Sequence, residues 1–177
     1  GAASRGVATI RSDIDDAELA RLHATGFRGA RCHLLAGALL AWDDVPRIAA
    51  RIARLGWHVQ LQLDGRDLPR LAPAIAALPV TAVIDHIGKF LEPVPVTHPA
   101  FRALVALLDG GRCWVKLSAP YETSRLGAPR YADVGALAAA LARARPDRCL
   151  WATNWPHPGT AAPPTERALR DLLVEWV

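Results

Sequence analysis

Polar side chains stand directly at the ends of short apolar runs in several places. Arg31 and His33 lie in "GARCHLL" (29–35), and Gln62 and Asp64 close "WHVQLQLDG" (57–65). Asp85 and His86 close "VTAVIDHIG" (80–88), and Lys116 and Ser118 lie in "RCWVKLSAP" (112–120), with Tyr121 and Glu122 just beyond. Asn154 closes "RCLWATN" (148–154), and His157 follows in the Trp-Pro-His-Pro turn. A histidine moves protons or polarises a carbonyl near neutral pH. An arginine fork grips a carboxylate. Together with hydroxyl and amide groups they suit the binding and cleavage of a small anion.

Taken singly, each position is as well explained as a polar strand end. Asp64 before Gly65 suits an ordinary turn, Lys116 suits a stem running along an apolar wall, and Trp155-Pro156 suits rim packing. His86 stands out because the Asp85-His86 pair ends an otherwise apolar run and Gly88 follows at once. What sets these residues apart is their convergence at one end of one sheet.

The elements that would produce such convergence are legible as alternation. "GVATI" (6–10) reads as a strand, and Asp15 with Glu18 opens a helix carrying Leu19 and Leu22 that stops near Gly26. Residues 29–35, 57–65, 80–88, 112–120 and 148–154 read as further strands. Between and after them, apolar residues recur at helical spacing: Val45, Ile48, Ala49, Ile52; Leu71, Ile75, Leu78; Phe101, Leu104, Val105, Leu108; Val134, Leu137, Ala138, Leu141; and Leu169, Leu172, Leu173, Trp176. Six successive βα units imply an α/β fold with a parallel sheet, either open or a barrel of the (β/α)8 TIM type. Either architecture gathers ligands at the carboxyl ends of the strands.

Composition narrows the class. At 177 residues, 51% of them apolar, the chain is long enough for one domain, read as 1–177. The charge of +4 comes from scattered arginines, with no basic stripe for nucleic acid and no apolar run of membrane-span length. No Gly-x-Gly-x-x-Gly or Gly-Lys-Thr/Ser turn follows any strand, which argues against a nucleotide site. Cys32, Cys113 and Cys149 are odd in number and lie in apolar runs, so buried reduced thiols and a cytoplasmic setting are expected.

"LGWHVQLQLDGRDLP", "VIDHIGK", "WVKLSAPY" and "LWATNWPHP", in this order over nearly the whole chain, resemble the amidohydrolase superfamily. Within it they are most similar to the branch of 2-pyrone-4,6-dicarboxylate hydrolases and related lactonases of aromatic-acid catabolism. The resemblance implies a (β/α)8 barrel that hydrolyses a carboxylated lactone by activated water. In that family a strand 1 His-x-His pair, a strand 6 His and a strand 8 Asp surround the reaction centre. The resemblance further implies that the pyrone hydrolases work without metal and that related lactonases use zinc. His86 then matches the strand 6 His that polarises the scissile carbonyl, and Arg31 matches an Arg that grips a carboxylate. Gln62 matches the broader branch, His157 matches a His in the loop after strand 8, and Ser118 and Tyr121 join the substrate-binding set. Asn154 falls where the family reads Asp, the expected general base.

Departures from that pattern shape the expectation. An amide at 154 cannot accept a proton, and general-base catalysis typically contributes about 10²–10⁴-fold. Asn154 could still orient a water, and a zinc hydroxide could supply a nucleophile. The chain has no His-x-His and no Met, so the run of strands is read as strands 3 to 8 of a partial barrel without the first strands and the C-terminal tail. Glu122 stands near the place of a carboxylate-binding Arg, and Gly37 stands where another is expected, so a lactone with one carboxylate fits better than a dicarboxylate. The reading is therefore a hydrolase of a small carboxylated lactone, truncated or inactive as this chain alone. No cofactor is expected here, with zinc left open for an intact barrel, and homo-oligomers are expected through open barrel edges. The alternatives are a non-catalytic relative that binds a small organic anion and an unrelated open α/β sheet.

Overall fold

Strands and helices alternate throughout the computed structural model, which describes residues 4–177. The strands are β1 (Gly6–Ala8), β2 (Phe27–His33), β3 (His58–Gln62), β4 (Ala82–Ile84), β5 (Cys113–Leu117) and β6 (Cys149–Trp151). The helices that follow them in turn are α1 (Asp16–Ala24), α2 (Asp44–Ala53), α3 (Leu68–Ala76), α4 (Pro99–Asp109), α5 (Ala132–Ala144) and α6 (Glu166–Trp176). Every neighbouring strand pair is parallel, and the order across the sheet is the order along the chain. The result is a half-barrel of the (β/α)8 type, with β1 and β6 each paired on one side only among the described residues. The unrelated open α/β sheet, which would pair and cover its edge strands, is not what forms among the described residues.

Local chemistry starts the helices where the sequence marks them. The Asp15 carboxylate accepts from the Glu18 amide at 2.7 Å, and Thr165 Oγ1 accepts from the Ala168 amide at 3.2 Å. In α4 a proline at the first turn costs no hydrogen bond, and His98 Nδ1 accepts from the Ala100 amide. The apolar stripe of α2, Val45, Ile48, Ala49 and Ile52, is wholly buried against the sheet.

Parallel register sorts the sheet into two faces. Cys32 pairs with Leu61, Leu61 with Ile84, and Ile84 with Val115, and all four are buried beneath the helices. Each fully buried aliphatic side chain of this layer contributes about 1.5–3 kcal/mol. One position along, Arg31 pairs with Gln60, Gln60 with Val83, and Lys116 with Leu150. That second face is the inside of the half-barrel, and it mixes polar residues with Val83, Trp114 and Leu150. β-Strand alternation thus delivers Arg31, His33, Gln60, Gln62 and Lys116 to the same concave side.

The strands are shorter than their apolar runs suggest. β4 ends at Ile84, and residues 86–88 form a short 3-10 turn. His86, Ile87 and Lys89 there adopt left-handed backbone at φ 53°, 59° and 43°, which no parallel ladder accommodates. Cys32 and Cys113 are buried free thiols pushed up to about 12 by burial, and Cys149, near the open edge, is half-exposed and raised to about 11. None is a thiolate nucleophile at neutral pH. Among the described residues no helix is long and apolar enough to cross a membrane.

Candidate functional site

The β4 exit is built to hold His86 rigidly. After Asp85 the chain turns so tightly that the Gly65 amide, beyond β3, donates to the Lys89 carbonyl at 3.3 Å. A Cβ on Gly65 would collide with the Gly88 carbonyl oxygen and stand 2.7 Å from the Phe90 ring. The two glycines therefore let the β3 and β4 exits touch. His86 is 5% exposed, its Nδ1 lies 2.9 Å from Ser118 Oγ on β5, and its Nε2 is buried without a hydrogen-bond partner. Burial lowers the imidazole to about 4, against the opposing pull of Asp85 and Glu122. The ring is neutral at physiological pH. If Ser118 donates into Nδ1, Nε2 carries a proton and can polarise a carbonyl; in the other tautomer Nε2 accepts a proton.

Beneath His86, Asp85 is fully buried and ties the inner face together. Its Oδ2 accepts from Gln60 Nε2 at 3.0 Å and lies 3.1 Å from the Arg31 guanidinium. Lys116 Nζ stands 3.2 Å from Oδ1, an ion pair without hydrogen-bond alignment. Lys116 thus points into the half-barrel, toward a charge, and not out along its wall. Arg31 also donates to Gln62 Oε1 and remains a third exposed toward the cleft.

The β6 exit carries Asn154 in left-handed backbone at φ 63°. Its Nδ2 donates to Glu122 Oε1 at 2.7 Å and to Tyr121 Oη at 3.0 Å. Tyr121 Oη in turn lies 2.9 Å from His157 Nδ1, and burial pushes the phenol up, so it stays protonated. His157 Nε2 stands 3.6 Å from Glu166 Oε1. The second Glu122 oxygen pairs with Lys89.

These exits surround a cleft of about 510 Å³ lined by Thr9, Arg31, His33, Gln62, His86, Glu122 and Asn154, with Pro158 and Gly159 at the rim. Of the residues singled out by sequence, Arg31, His33, Gln62, His86 and Asn154 line it. Ser118, Tyr121 and His157 stand behind, holding His86 and Asn154 in place. Glu122 is the group that sequence reasoning undervalued, since it reads there only as the absence of an arginine. Asp85 and Lys116 read as strand-end polars, yet they form the charged floor. A separate groove of about 390 Å³ between α3 and α4, lined by residues such as Ala72, Ile75, Ala103 and Leu107, has Arg112 as its sole charged group and offers no comparable chemistry.

The donor set does not make a zinc site from these residues alone. Among the described residues no three His, Cys, Asp or Glu side chains gather closely enough to hold a metal ion. His86 and His157 each have one ring nitrogen committed to a hydroxyl.

A family model described as amidohydrolase matches residues 1–176. A 2-pyrone-4,6-dicarboxylate hydrolase of Comamonas testosteroni is 37% identical over 168 residues, which cover 89% of this chain and 55% of that protein. A D-galactarolactone isomerase of Agrobacterium fabrum is 33% identical over 180 residues, covering 100% of this chain and 61% of that protein. An apo crystal structure from Agrobacterium tumefaciens superposes with a TM-score of 0.91 at 33% identity, covering 100% of this chain and 63% of that one. The chain thus spans 55% and 61% of the length of these two curated relatives.

Proposed function

This chain belongs to the amidohydrolase family, and on that premise we propose that the cleft at the strand exits acts on the cyclic ester of a small carboxylic acid. The observation that carries the reading is His86, a neutral ring lining a cleft that also holds a guanidinium, with its Nε2 buried and unpartnered. A lactone carrying one carboxylate meets both needs. The N–H groups of Arg31 not engaged by Asp85 and Gln62 hold the carboxylate. Ser118 donates into His86 Nδ1, so that Nε2–H hydrogen-bonds the lactone carbonyl oxygen and stabilises the charge that grows there on attack.

Water as the nucleophile gives hydrolysis. A second reading, ring isomerisation, has the substrate's own hydroxyl attack the carbonyl and displace the ring oxygen. Two observations favour it: the β6 exit offers the Asn154 amide in place of a carboxylate, and a lactone isomerase is among the relatives similar over the whole chain. The lining also supports a hydroxylated ligand, since Thr9, Gln62, Glu122 and Asn154 offer hydrogen bonds and no Phe, Tyr or Trp ring faces the cleft.

Incubation of the intact protein with a carboxylated, hydroxylated lactone, followed by proton NMR, tests the proposal. An open-chain acid as product means hydrolysis, and a lactone of different ring size means isomerisation. Saturable binding by calorimetry without turnover means a non-catalytic anion binder. Neither turnover nor binding across five- and six-membered carboxylated lactones refutes the reading.

A further inference from the structure

Glu122 is a nearly buried carboxylate on the cleft wall, with 14% of its side chain exposed. Each of its oxygens has one partner: Oε1 accepts from Asn154 Nδ2 at 2.7 Å, and Oε2 pairs with Lys89. A carboxylate oxygen has two acceptor directions, so Oε1 keeps one for a further proton donor.

The orientation of Asn154 follows from its neighbours. Only an amide NH₂ can donate to a carboxylate, and both of its hydrogens are used, one on Glu122 and one on Tyr121. Tyr121 is fixed in turn by His157. Asn154 Oδ1 makes no hydrogen bond among the described residues and is left as an acceptor beside the carboxylate. An incoming O–H group therefore meets two acceptors side by side, one neutral and one anionic. Lys89 balances the anion in the ground state, and the 14% exposure of the Glu122 side chain strengthens its polar contacts.

We propose that Glu122 is the proton-accepting catalytic residue of this site, with Asn154 as the residue that positions it. The proposal rests on the lactone reading above. The oxygen of water, or of a substrate hydroxyl, forms a bond to the lactone carbonyl carbon while its proton passes to Glu122 Oε1. The carbonyl π electrons move to the oxygen held by His86 Nε2–H. When that C=O re-forms, the ring C–O bond breaks, and the proton on Glu122 passes to the departing ring oxygen. No other reactant is needed, and Glu122 ends as it began. Asn154 is then the partner that Glu122 requires, because a carboxylate at 154 would stand against Oε1 as a like charge.

Steady-state kinetics on the intact protein test this with Glu122→Gln, Glu122→Ala and the double variant Glu122→Gln/Asn154→Asp. The expected result is a fall in kcat of about 10²–10⁴-fold for Glu122→Gln with KM changed only a few-fold. Sodium formate should restore Glu122→Ala in a concentration-dependent way, and Asn154→Asp should raise the Glu122→Gln rate by about tenfold or more by returning a carboxylate to the same place. If Glu122→Gln fails to fold with Lys89 left unpaired, the Lys89→Met/Glu122→Gln pair removes both charges and gives the same comparison. Retention of kcat in the Glu122 variants overturns the assignment, as does a loss that neither formate nor Asn154→Asp reverses. A wild-type protein that turns over no lactone sinks the functional reading itself, a distinct outcome from active wild type with indifferent Glu122 variants.

Discussion

His86 Nδ1 and Ser118 Oγ stand 2.9 Å apart, joining the β4 and β5 exits in a fully buried contact. This hydrogen bond couples the Ser118 hydroxyl to the His86 tautomer: when Ser118 donates to Nδ1, the proton sits on Nε2. Ser118→Ala leaves Nδ1 unsatisfied in a buried place, at a cost of about 1–3 kcal/mol in chemical denaturation. Turnover of a lactone should fall while KM stays close to wild type, because Ser118 acts through the imidazole and stands behind the cleft wall. A KM effect with unchanged kcat would assign Ser118 to substrate binding instead.

The pH behaviour of His86 follows from its burial. Its folded-state value of about 4 lies below the ordinary histidine value of 6.5, so the unfolded chain binds more protons between those two pH values. Stability therefore falls as pH drops from 6.5 toward 4, by about 3 kcal/mol from this residue alone. His86→Gln should remove that part of the slope. Titration of the imidazole by NMR checks the value directly, and a midpoint near 6.5 would contradict it.

Asp85 is the hub of the inner face, bound by Gln60 and facing both Arg31 and Lys116. Removing a buried partner strands the others, so Asp85→Ala should cost about 3–5 kcal/mol. Asp85→Asn should cost less, because the amide keeps a hydrogen bond with Gln60. Both should raise KM for a carboxylated lactone, since Arg31 loses the contact that aims it. Urea melts and substrate titrations on the two variants make the comparison.

Asn154→Asp in the otherwise unchanged protein sets one carboxylate against another. One of the two must then hold a proton, and its folded-state pKa rises above the ordinary carboxylate range. A raised group gives stability that is present at low pH and lost as pH increases through the new value. The stability of the variant, and with it the melting temperature, should match wild type near pH 4 and drop below it toward pH 8, the loss in free energy being about 1.4 kcal/mol for each unit by which that pKa rises. Equal melting temperatures at pH 8 would mean that Glu122 and residue 154 separate in solution.

Gly65→Ala tests the clamp between the β3 and β4 exits. The added methyl meets the Gly88 carbonyl and the Phe90 ring, and overpacking of this kind costs about 1–3 kcal/mol. Because Gly88 lies two residues from His86, kcat should fall along with stability. Circular-dichroism melts and turnover measured on the same preparation reveal whether the two losses travel together.

All six helices and all six strands are legible as periodicity, and so are the positions of Arg31, Gln62, His86 and Asn154 at strand exits. Strand length is not. The run 80–88 looks continuous, but left-handed backbone at His86 and Ile87, ahead of the glycine at 88, follows a ladder that ends at Ile84. Nor is the direction of Lys116: a lysine in an apolar run can point to either side, and only register with Leu150 and the charge of Asp85 decide it. Glu122 is illegible for a different reason. Its meaning comes from contacts with Lys89 and Asn154, 33 and 32 residues away, and no local pattern carries that information.

The sheet is an open arc, with Arg31 on its second strand and Asn154 just past its sixth. A ligand gripped at both places works as a strut across that arc. Occupancy then stiffens the arch as a whole and resists its splaying, by an amount that grows as RT ln(1 + [L]/Kd). On the proposed reading, filling the cleft and holding the shape of the sheet become the same event.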